Sequence, residues 1–376
     1  MTDQQSNNEQ DSLGVLRDRI DGIDEKIGEL ISERARCALE VASVKKATLV
    51  DSDTVEGNAP LFYRPEREAQ VLRKAMARNN GPLSDEEFAR LFREIMSACL
   101  ALEEPIKVAY LGPEGTFTQQ AALKHFGHSA HVVSKSAIDE VFREVASGAA
   151  HYGVVPVENS TEGVVTHTLD NFLESGVTIC GEVVLRIHHQ LLVSDVTHTQ
   201  AITRIYSHAQ SLSQCRKWLD ANYPNAERIA VSSNSEAAKK IKGEWNAAAI
   251  AGEMAAELYG LTSLVKNIED QPDNSTRFLI IGAHGGNASG DDKTSIIAST
   301  SNKPGALHDL LEPFHKNGVD LTRVETRPSR SGVWNYVFFI DFAGHQQDAI
   351  VEKTLNDVAS KVSDLKILGS FPRGVL

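Results

Sequence analysis

Cysteine is scarce and scattered in this 376-residue chain: Cys37, Cys99, Cys180 and Cys215 lie far apart, and no two form a CxxC pair. That argues against a cysteine-built metal or redox motif and fits a reduced, cytoplasmic setting. No apolar stretch approaches the ~20 residues needed to span a bilayer. Met1–Ser12 is polar and lacks the apolar core of a signal peptide. There is no Lys/Arg-rich run and no set of interleaved stacking aromatics. With a formal net charge of −13 the chain repels phosphate backbones, so nucleic acid is not an expected partner. His188-His189 has no helically spaced third ligand, and no metal is expected. What remains is ordinary globular material, 41% hydrophobic and 24% charged. At roughly 100–200 residues per domain, the length suggests two or three domains.

Three segments differ in pattern. From about Leu13 to Glu104 the reading is helical throughout. Leu16, Ile20, Ile23, Ile27, Leu30 and Ile31 recur at spacings of three and four, and the pattern continues through Ala38, Val41 and Val44 with no proline and no glycine beyond Gly28. This predicts one helix on the order of 50 Å long at 1.5 Å per residue. It is too long to bury its stripe against a small domain, so a helical dimer is expected. A polar loop over 49–60 breaks the period, and a second helix is predicted from Pro65 to Asn79. Gly81-Pro82-Leu83-Ser84-Asp85-Glu86-Glu87 then reads as a stop, an N-cap and the acidic first turn of a third helix, which Pro105 ends.

From Lys107 the chain alternates strands and helices. Strands are predicted at Lys107–Leu111, Tyr152–Val157, Val183–Arg186, Gln190–Ser194, Arg204–Ser207, Arg228–Val231, Ala247–Ile250 and Arg277–Ile281, an α/β domain with largely parallel sheets. A linker rich in Gly, Asn and Asp, Gly282–Asp292, sets off the third segment. There the order is strand Thr294–Ser299, helix Pro304–Lys316, strands Asp320–Arg327 and Trp334–Phe342, helix Asp348–Lys361 and strand Leu365–Leu368. That βαββαβ order is ferredoxin-like. The expected domains are 12–104, 106–282 and 293–371.

In the helical segment, Arg34 and Lys45 are near three full turns apart and share a face, as do Cys99 and Glu103 one turn apart. Arg17 points about two-thirds of a turn away from Arg34, so if it serves the same site it arrives from another protomer. On spacing alone these are equally the solvated charges of a surface helix. Taken together, Leu16-Arg17-Asp18-Arg19-Ile20, Asp24-Glu25, Glu33-Arg34, Lys45 and Arg67-Glu68 resemble the all-helical chorismate mutase family, whose dimers have helix-swapped active sites. The resemblance implies that the partner subunit's Arg17 and this chain's Arg34 bind the two carboxylates of chorismate. It further implies that Lys45 donates to the ether oxygen and Glu68 accepts from the ring hydroxyl, with Arg67 and Cys99 in the binding set. Such a rearrangement needs only a compact conformation and charge complementarity. Glu103 stands where the family often has Gln as a second donor to the ether oxygen. A carboxylate donates only when protonated, so mutase activity is expected to fall as pH rises. An Asp that some members place before the second helix aligns with Arg64, which is assigned no role.

In the α/β segment, Gly112-Pro113-Glu114-Gly115-Thr116-Phe117-Thr118 follows a strand, where glycines permit a tight turn and amides at a helix N-terminus bind anions. Val154-Val155-Pro156-Val157-Glu158-Asn159-Ser160 places polar side chains at a strand's carboxyl edge, the usual ligand position in such sheets. Asn274-Ser275-Thr276-Arg277-Phe278 opens the last strand. Singly, each is ordinary turn chemistry or an ion pair. In this order, with Tyr206-Ser207-His208-Ala209-Gln210, Cys215 and His189, they closely resemble prephenate dehydratase. The resemblance implies two α/β lobes of the periplasmic-binding-protein kind with the site in the cleft, one lobe about 106–182 plus the return from about 261, the other about 183–260. It also implies that Thr276 assists departure of the ring hydroxyl. Arg277 is the expected carboxylate clamp, and Asn159, Ser160, Thr118 and Gln210 are expected to bind substrate. His189 is either catalytic or a satisfied core histidine.

In the last segment, Asn302-Lys303-Pro304-Gly305-Ala306-Leu307 and Glu325-Thr326-Arg327-Pro328 resemble the ACT amino-acid-binding domain, with Thr326 replacing a Ser. The resemblance implies phenylalanine binding by Gly305, Ala306, Leu307, Glu325, Thr326, Arg327 and Pro328 at an interface between copies, hence a homodimer or higher oligomer. A purely structural βαββαβ module is the alternative. All three segments agree with the bifunctional chorismate mutase–prephenate dehydratase family of phenylalanine biosynthesis, acting on chorismate and prephenate without a cofactor. Two other readings stay open: the helices as a dimerisation device with impaired chemistry, and a non-catalytic two-lobed amino-acid sensor.

Overall fold

The computed structural model describes residues 2–50, 63–300, 303–328 and 336–375. The predicted polar loop lies outside these from residue 51 on, as do Asn302 and Trp334.

With no proline to break it, the first helix runs further than the periodicity predicts: α1 spans Thr2–Val50. Its apolar stripe stays in solvent on the protomer, with Leu16, Ile20, Ile27 and Leu30 all exposed. The helices α2 (Pro65–Arg78) and α3 (Asp85–Glu103) form an antiparallel hairpin. Pro65 sits in the first turn of α2, and the Ser84 side chain caps α3 by accepting from the Glu87 amide at 3.2 Å. Toward its C-terminal end α1 packs on α3. On the other side Tyr63 and Leu100 join Phe126, Tyr152 and Val183 in one apolar cluster, so the hairpin is cemented to the next domain.

That domain begins with β1 (Lys107–Leu111), α4 (Phe117–Phe126), β2 (His131–Lys135), α5 (Ile138–Ala146), β3 (Tyr152–Asn159), β4 (Gly163–Val164), α6 (Thr166–Glu174) and β5 (Thr178–Arg186). It continues through β6 (Gln190–Val193), β7 (Arg204–His208), α7 (Ala209–Gln214), α8 (Arg216–Asn222), β8 (Glu227–Val231), α9 (Asn234–Lys240), β9 (Ala247–Ala251), α10 (Glu253–Tyr259), β10 (Thr262–Val265) and β11 (Ser275–Gly282). One sheet has the order β2-β1-β3-β11-β5, with β4 beside β3, and the other β10-β6-β9-β7-β8. These are the two lobes.

Three expectations need correction. The sheets are mixed rather than largely parallel, because β11 runs antiparallel to both β3 and β5, and β6 antiparallel to β9 and β10. The strands β2, β4 and β10 escaped the sequence reading. The first crossing between lobes falls after Arg186 and the return after Val265, so all of β5 belongs to the first lobe and β10 to the second.

The C-terminal module contains β12 (Asp292–Thr300), α11 (Ala306–Asn317), β13 (Leu321–Pro328), β14 (Tyr336–Ala343), α12 (Ala349–Ala359) and β15 (Asp364–Pro372), with antiparallel sheet order β13-β14-β12-β15. This is the predicted ferredoxin-like arrangement. The helices cover one face, over Ile296, Ala298, Phe338, Ile340 and Phe342. The other face carries Ile297, Val337, Phe339 and Leu368 into a shared core with Leu169, Phe172, Ile179, Leu279 and Ile281 of the first lobe. Alternation along each strand gives the sheet two apolar faces, and both are used. Burying a side chain the size of Phe172 contributes about 2–3 kcal/mol, so this interface is a continuation of the core. The Gly/Asn/Asp-rich linker is likewise tied down: Arg73 of α2 donates to the Ser289 and Asp291 carbonyls, and His345 Nε2 lies 3.3 Å from the Gly286 carbonyl.

Candidate active site

A cleft of about 250 Å3 lies between the lobes. Its walls come from the loop after β1 and the start of α4 (Gly112, Gly115, Thr116, Phe117, Thr118), from α7 (Gln210, Ser211, Gln214), and from the turn into α9 (Ser232, Ser233, Asn234). Asn159, His189, His208 and Thr276 also line it, with Leu111, Ile187 and Gly252. Gly115 has φ +81, and a Cβ there would stand 2.9 Å from Ser235 Oγ of the second lobe. Only glycine lets the loop bridge the lobes this closely.

Thr276, the second residue of β11, pairs in register with Asn159 at the end of β3. The Asn159 Nδ2 group donates to Thr276 Oγ1 at 2.8 Å and to Asn274 Oδ1 at 3.0 Å. Its Oδ1 accepts from the Thr161 amide, the Thr161 hydroxyl and the Glu162 amide. Behind them Asn274 Nδ2 donates to Gln214 Oε1 at 3.2 Å, and Gln214 Nε2 donates to Thr161 Oγ1 at 3.0 Å. His189 Nε2 lies 2.8 Å from Gln214 Oε1. The His189 ring is 1% exposed, and burial holds its pKa below the usual histidine value. Among the described residues its Nδ1 has no hydrogen-bond partner.

The cleft thus brings together Thr276, Asn159, Thr118, Gln210 and His189 from the sequence reading. It does not include Ser160, whose hydroxyl instead accepts from the Ser275 amide at 2.9 Å. Nor does it include Arg277. Neighbouring residues of a strand face opposite ways, and the Arg277 guanidinium points away from Thr276. Its Nε donates to Glu182 at 2.8 Å and its Nη1 to Asp341 of the C-terminal module at 2.5 Å. The expected carboxylate clamp is therefore a buried link between domains. Among the described residues no Lys or Arg lines the cleft, whose donors are hydroxyls, side-chain amides and backbone N–H groups such as those opening α4. Gln214 and His208 line the cleft beyond the expected set, and Asn274 stands behind it. The one-turn spacing of Gln210 and Gln214 could have found Gln214.

In the helical segment Lys45 Nζ lies 3.7 Å from Glu103 Oε2, with Cys99 buried one turn before Glu103. Arg34 is half-buried, whereas Arg17 and Arg67 are exposed. Glu68 does not join this group. Its Oε1 accepts from Arg93 Nε at 3.1 Å, and Arg93 also donates to the Lys124 carbonyl. Burial raises the Glu68 pKa, with Arg93 opposing that shift. Along α3, Arg93 and Glu103 are about 15 Å apart at 1.5 Å per residue. In this protomer the pair facing the dehydratase domain and the pair on α1 are separate.

In the C-terminal module the turn bearing Gly305 (φ +84), Ala306 and Leu307 follows the end of β12, and Glu325, Thr326, Arg327 and Pro328 close β13. Both Thr300 and Pro328 register with Tyr336 of β14, so the two motifs meet at one end of the sheet. Arg327 is held there by Asp170 of α6 at 2.9 Å. Among the described residues no helix is long and apolar enough to cross a membrane, and no group of three or more His, Cys, Asp or Glu could hold a metal ion.

Comparison with known proteins follows the same three-part order. Residues 16–104 match the model of chorismate mutase type II, 108–285 that of prephenate dehydratase and 294–360 that of the ACT domain. The chain is 66% identical over 368 residues to a bifunctional chorismate mutase/prephenate dehydratase of Pseudomonas aeruginosa, covering 98% of this chain and 100% of that one. It is 44% identical to the protein of that description from Aquifex aeolicus, covering 97% and 99%. A crystal structure of prephenate dehydratase from Arthrobacter aurescens in complex with L-Phe matches at a TM-score of 0.66 and 32% identity, covering 71% of this chain and 90% of that one. The chain belongs to the bifunctional chorismate mutase/prephenate dehydratase family.

Proposed function

We infer that the protein rearranges chorismate to prephenate in its helical domain and converts prephenate to phenylpyruvate in the cleft, with phenylalanine acting through the ACT domain. The observation that carries the dehydratase half is the Thr276 hydroxyl, which lines the cleft and accepts from Asn159. Its own proton is then available to the ring hydroxyl of the substrate. As the bond to the carboxylate breaks, its electron pair enters the ring and carbon dioxide leaves. The ring expels the hydroxyl with the C–O pair, and one proton, drawn ultimately from solvent, completes water. A donor at the departing oxygen is worth roughly 10²–10⁴ in rate. Thr118, Gln210 and the amides opening α4 are the groups that hold the substrate's carboxylates, in a site without guanidinium or ammonium.

The mutase half needs a second chain. Arg17 and Lys45 lie about 42 Å apart along the unbroken α1 at 1.5 Å per residue, so one protomer cannot bring both to one substrate. The exposed stripe Leu16, Ile20, Ile27 and Leu30 is the surface on which a second α1 would lie, supplying the partner subunit's Arg17 beside Arg34, Lys45 and Glu103. The absence of cysteine pairs and of membrane-spanning helices among the described residues suits a cytoplasmic homodimer. Because Glu68 is engaged by Arg93, a second reading makes the helices a dimerisation device only.

The test is a time course with chorismate, following chorismate, prephenate and phenylpyruvate with and without phenylalanine. Phenylpyruvate formed from chorismate, and formed more slowly with phenylalanine, is the expected outcome. Chorismate left intact while added prephenate is consumed would reduce the helices to scaffold. Turnover of neither substrate would overturn both activities.

A further inference from the structure

The hydrogen bonds behind Thr276 have only one consistent direction. Asparagine and glutamine amides can be turned end for end, and a neutral imidazole can carry its proton on either nitrogen. Backbone N–H groups cannot be turned, and two of them fix the sense here. The amides of Thr161 and Glu162 point at one atom of the Asn159 side chain, at 3.0 and 3.1 Å, so that atom is the oxygen. The other atom is then the NH2 group, whose two shorter bonds go to Thr276 Oγ1 at 2.8 Å and Asn274 Oδ1 at 3.0 Å, with the Ser275 carbonyl a longer acceptor at 3.3 Å. Asn274 in turn presents NH2 to Gln214 Oε1, and Gln214 presents NH2 to the Thr161 hydroxyl, which donates to Asn159 Oδ1. Gln214 Oε1 can only accept, so the proton of neutral His189 is on Nε2 and the unpartnered Nδ1 is a bare lone pair.

Thr276 receives the last proton of this chain. A hydroxyl that accepts from Asn159 cannot also donate to it, and no other acceptor for Thr276 appears among the described residues. We propose that Asn159, with Asn274 and Gln214 behind it, is a positioning device that turns the Thr276 hydroxyl into an obligatory donor toward the cleft, its sense set by the Thr161 and Glu162 amides. Asn274 is 1% exposed and does not line the cleft, so it acts only through its neighbours. A preorganised donor spends nothing on reorientation as charge builds on the departing oxygen.

This inference rests on the reading of Thr276 as the donor, and the test separates the two. Asn159→Asp keeps the shape but places an oxygen where the NH2 group was. The Thr276 hydroxyl must then donate to the new carboxylate, and its proton leaves the cleft. The expected result is a fall in dehydratase kcat of ~100-fold or more with KM for prephenate within about threefold. Mutase turnover by the same chain, kept at the parental level, shows that the fold is intact. Asn274→Leu leaves Asn159 held by the two amides, and its kcat is expected to fall by about tenfold or less. Reversal of the chain also predicts that His189 moves its proton from Nε2 to Nδ1 in Asn159→Asp, which 15N spectra of histidine-labelled protein would register. In a Thr276→Val background Asn159→Asp should add nothing, since both act on one hydroxyl.

A kcat for Asn159→Asp near the parental value, or a loss that persists in full in the Thr276→Val background, overturns the positioning role. So does a loss that appears in KM alone, which would make Asn159 a substrate-binding group only. Thr276→Val with parental turnover would instead overturn the donor reading beneath it.

Discussion

Arg277 donates to Asp341 at 2.5 Å, joining a dehydratase strand to an ACT strand one residue away from Thr276. The register makes this more than a single contact. Thr276 pairs with Asn159, both lining the cleft, and Arg277 pairs with Glu158. Glu158 meets the ACT strand β13 through Arg323 at 2.9 Å. Lys293 of β12 adds a third link, to Glu182 at 2.7 Å. A ligand on the ACT domain can bias catalysis only through contacts that differ between two states, and these three ion pairs join the ACT sheet directly to the strands that carry Thr276 and Asn159 and to their neighbour β5.

Asp341→Asn therefore tests the coupling. The Ser295 hydroxyl, which donates to Asp341 Oδ1 at 2.6 Å, keeps an acceptor, but Arg277 loses a buried charge partner. Stability is expected to fall by about 2 kcal/mol, the order of a hydrogen bond to a charged group. The phenylalanine concentration for half-inhibition is expected to rise at least ~5-fold, with phenylalanine binding by calorimetry retained. An inhibition curve that superimposes on the parent would show that the signal travels elsewhere.

Alternation alone separates Thr276 from Arg277, so the sequence itself places them on opposite faces: adjacent residues of a strand cannot both face one cleft. Other features are not legible in it. The strands β2 and β10 lie at sheet edges, where His131, Thr262 and Ser263 break the apolar signature. Most of β5 before Val183 was hidden because Cys180-Gly181 reads as a turn, yet Gly181 is there because a Cβ would stand 3.1 Å from His125. That β11 inserts antiparallel between β3 and β5 is a pairing across roughly 90 to 130 residues, which no local pattern records. The helices and the βαββαβ module were legible because their periodicity is local and their turn residues sit at the ends.

His125 should tie stability to pH. Its Nε2 lies 2.9 Å from the Tyr63 hydroxyl, and burial, with help from the Arg93 guanidinium, pushes its pKa down to about 3. The unfolded chain takes up a proton near pH 6.5 that the folded protein refuses. The stabilisation is therefore complete above about pH 6.5 and is lost as pH falls toward 3, at about 1.4 kcal/mol per unit. His125→Gln keeps a hydrogen-bonding partner for Tyr63 without titrating. Between pH 7 and pH 5 the parent is expected to lose about 2 kcal/mol more than the variant, read from urea unfolding midpoints. Parallel curves would mean that His125 takes up its proton as readily in the folded protein as in the unfolded chain.

The mutase site can be checked by mixing two dead proteins. If Arg34 acts in its own chain and Arg17 in the partner's site, Arg17→Ala and Arg34→Ala each inactivate both sites of a homodimer. A mixed dimer has one site that lacks both arginines and one that lacks neither. Random exchange makes half the dimers mixed, so about a quarter of the sites should recover after unfolding and refolding together. Dehydratase turnover, measured in the same samples with added prephenate, should stay at the parental level throughout. Recovery to about a quarter of the parental mutase rate would place Arg17 across the dimer. No recovery, with dimers present by sedimentation, would mean that both arginines serve one chain, which the ~42 Å separation of Arg17 and Lys45 along an unbroken helix forbids unless α1 bends. In that case α1 must break between Arg17 and Arg34, and Gly22 or Gly28 would be the place to look, since glycine weakens a helix interior by about 1 kcal/mol.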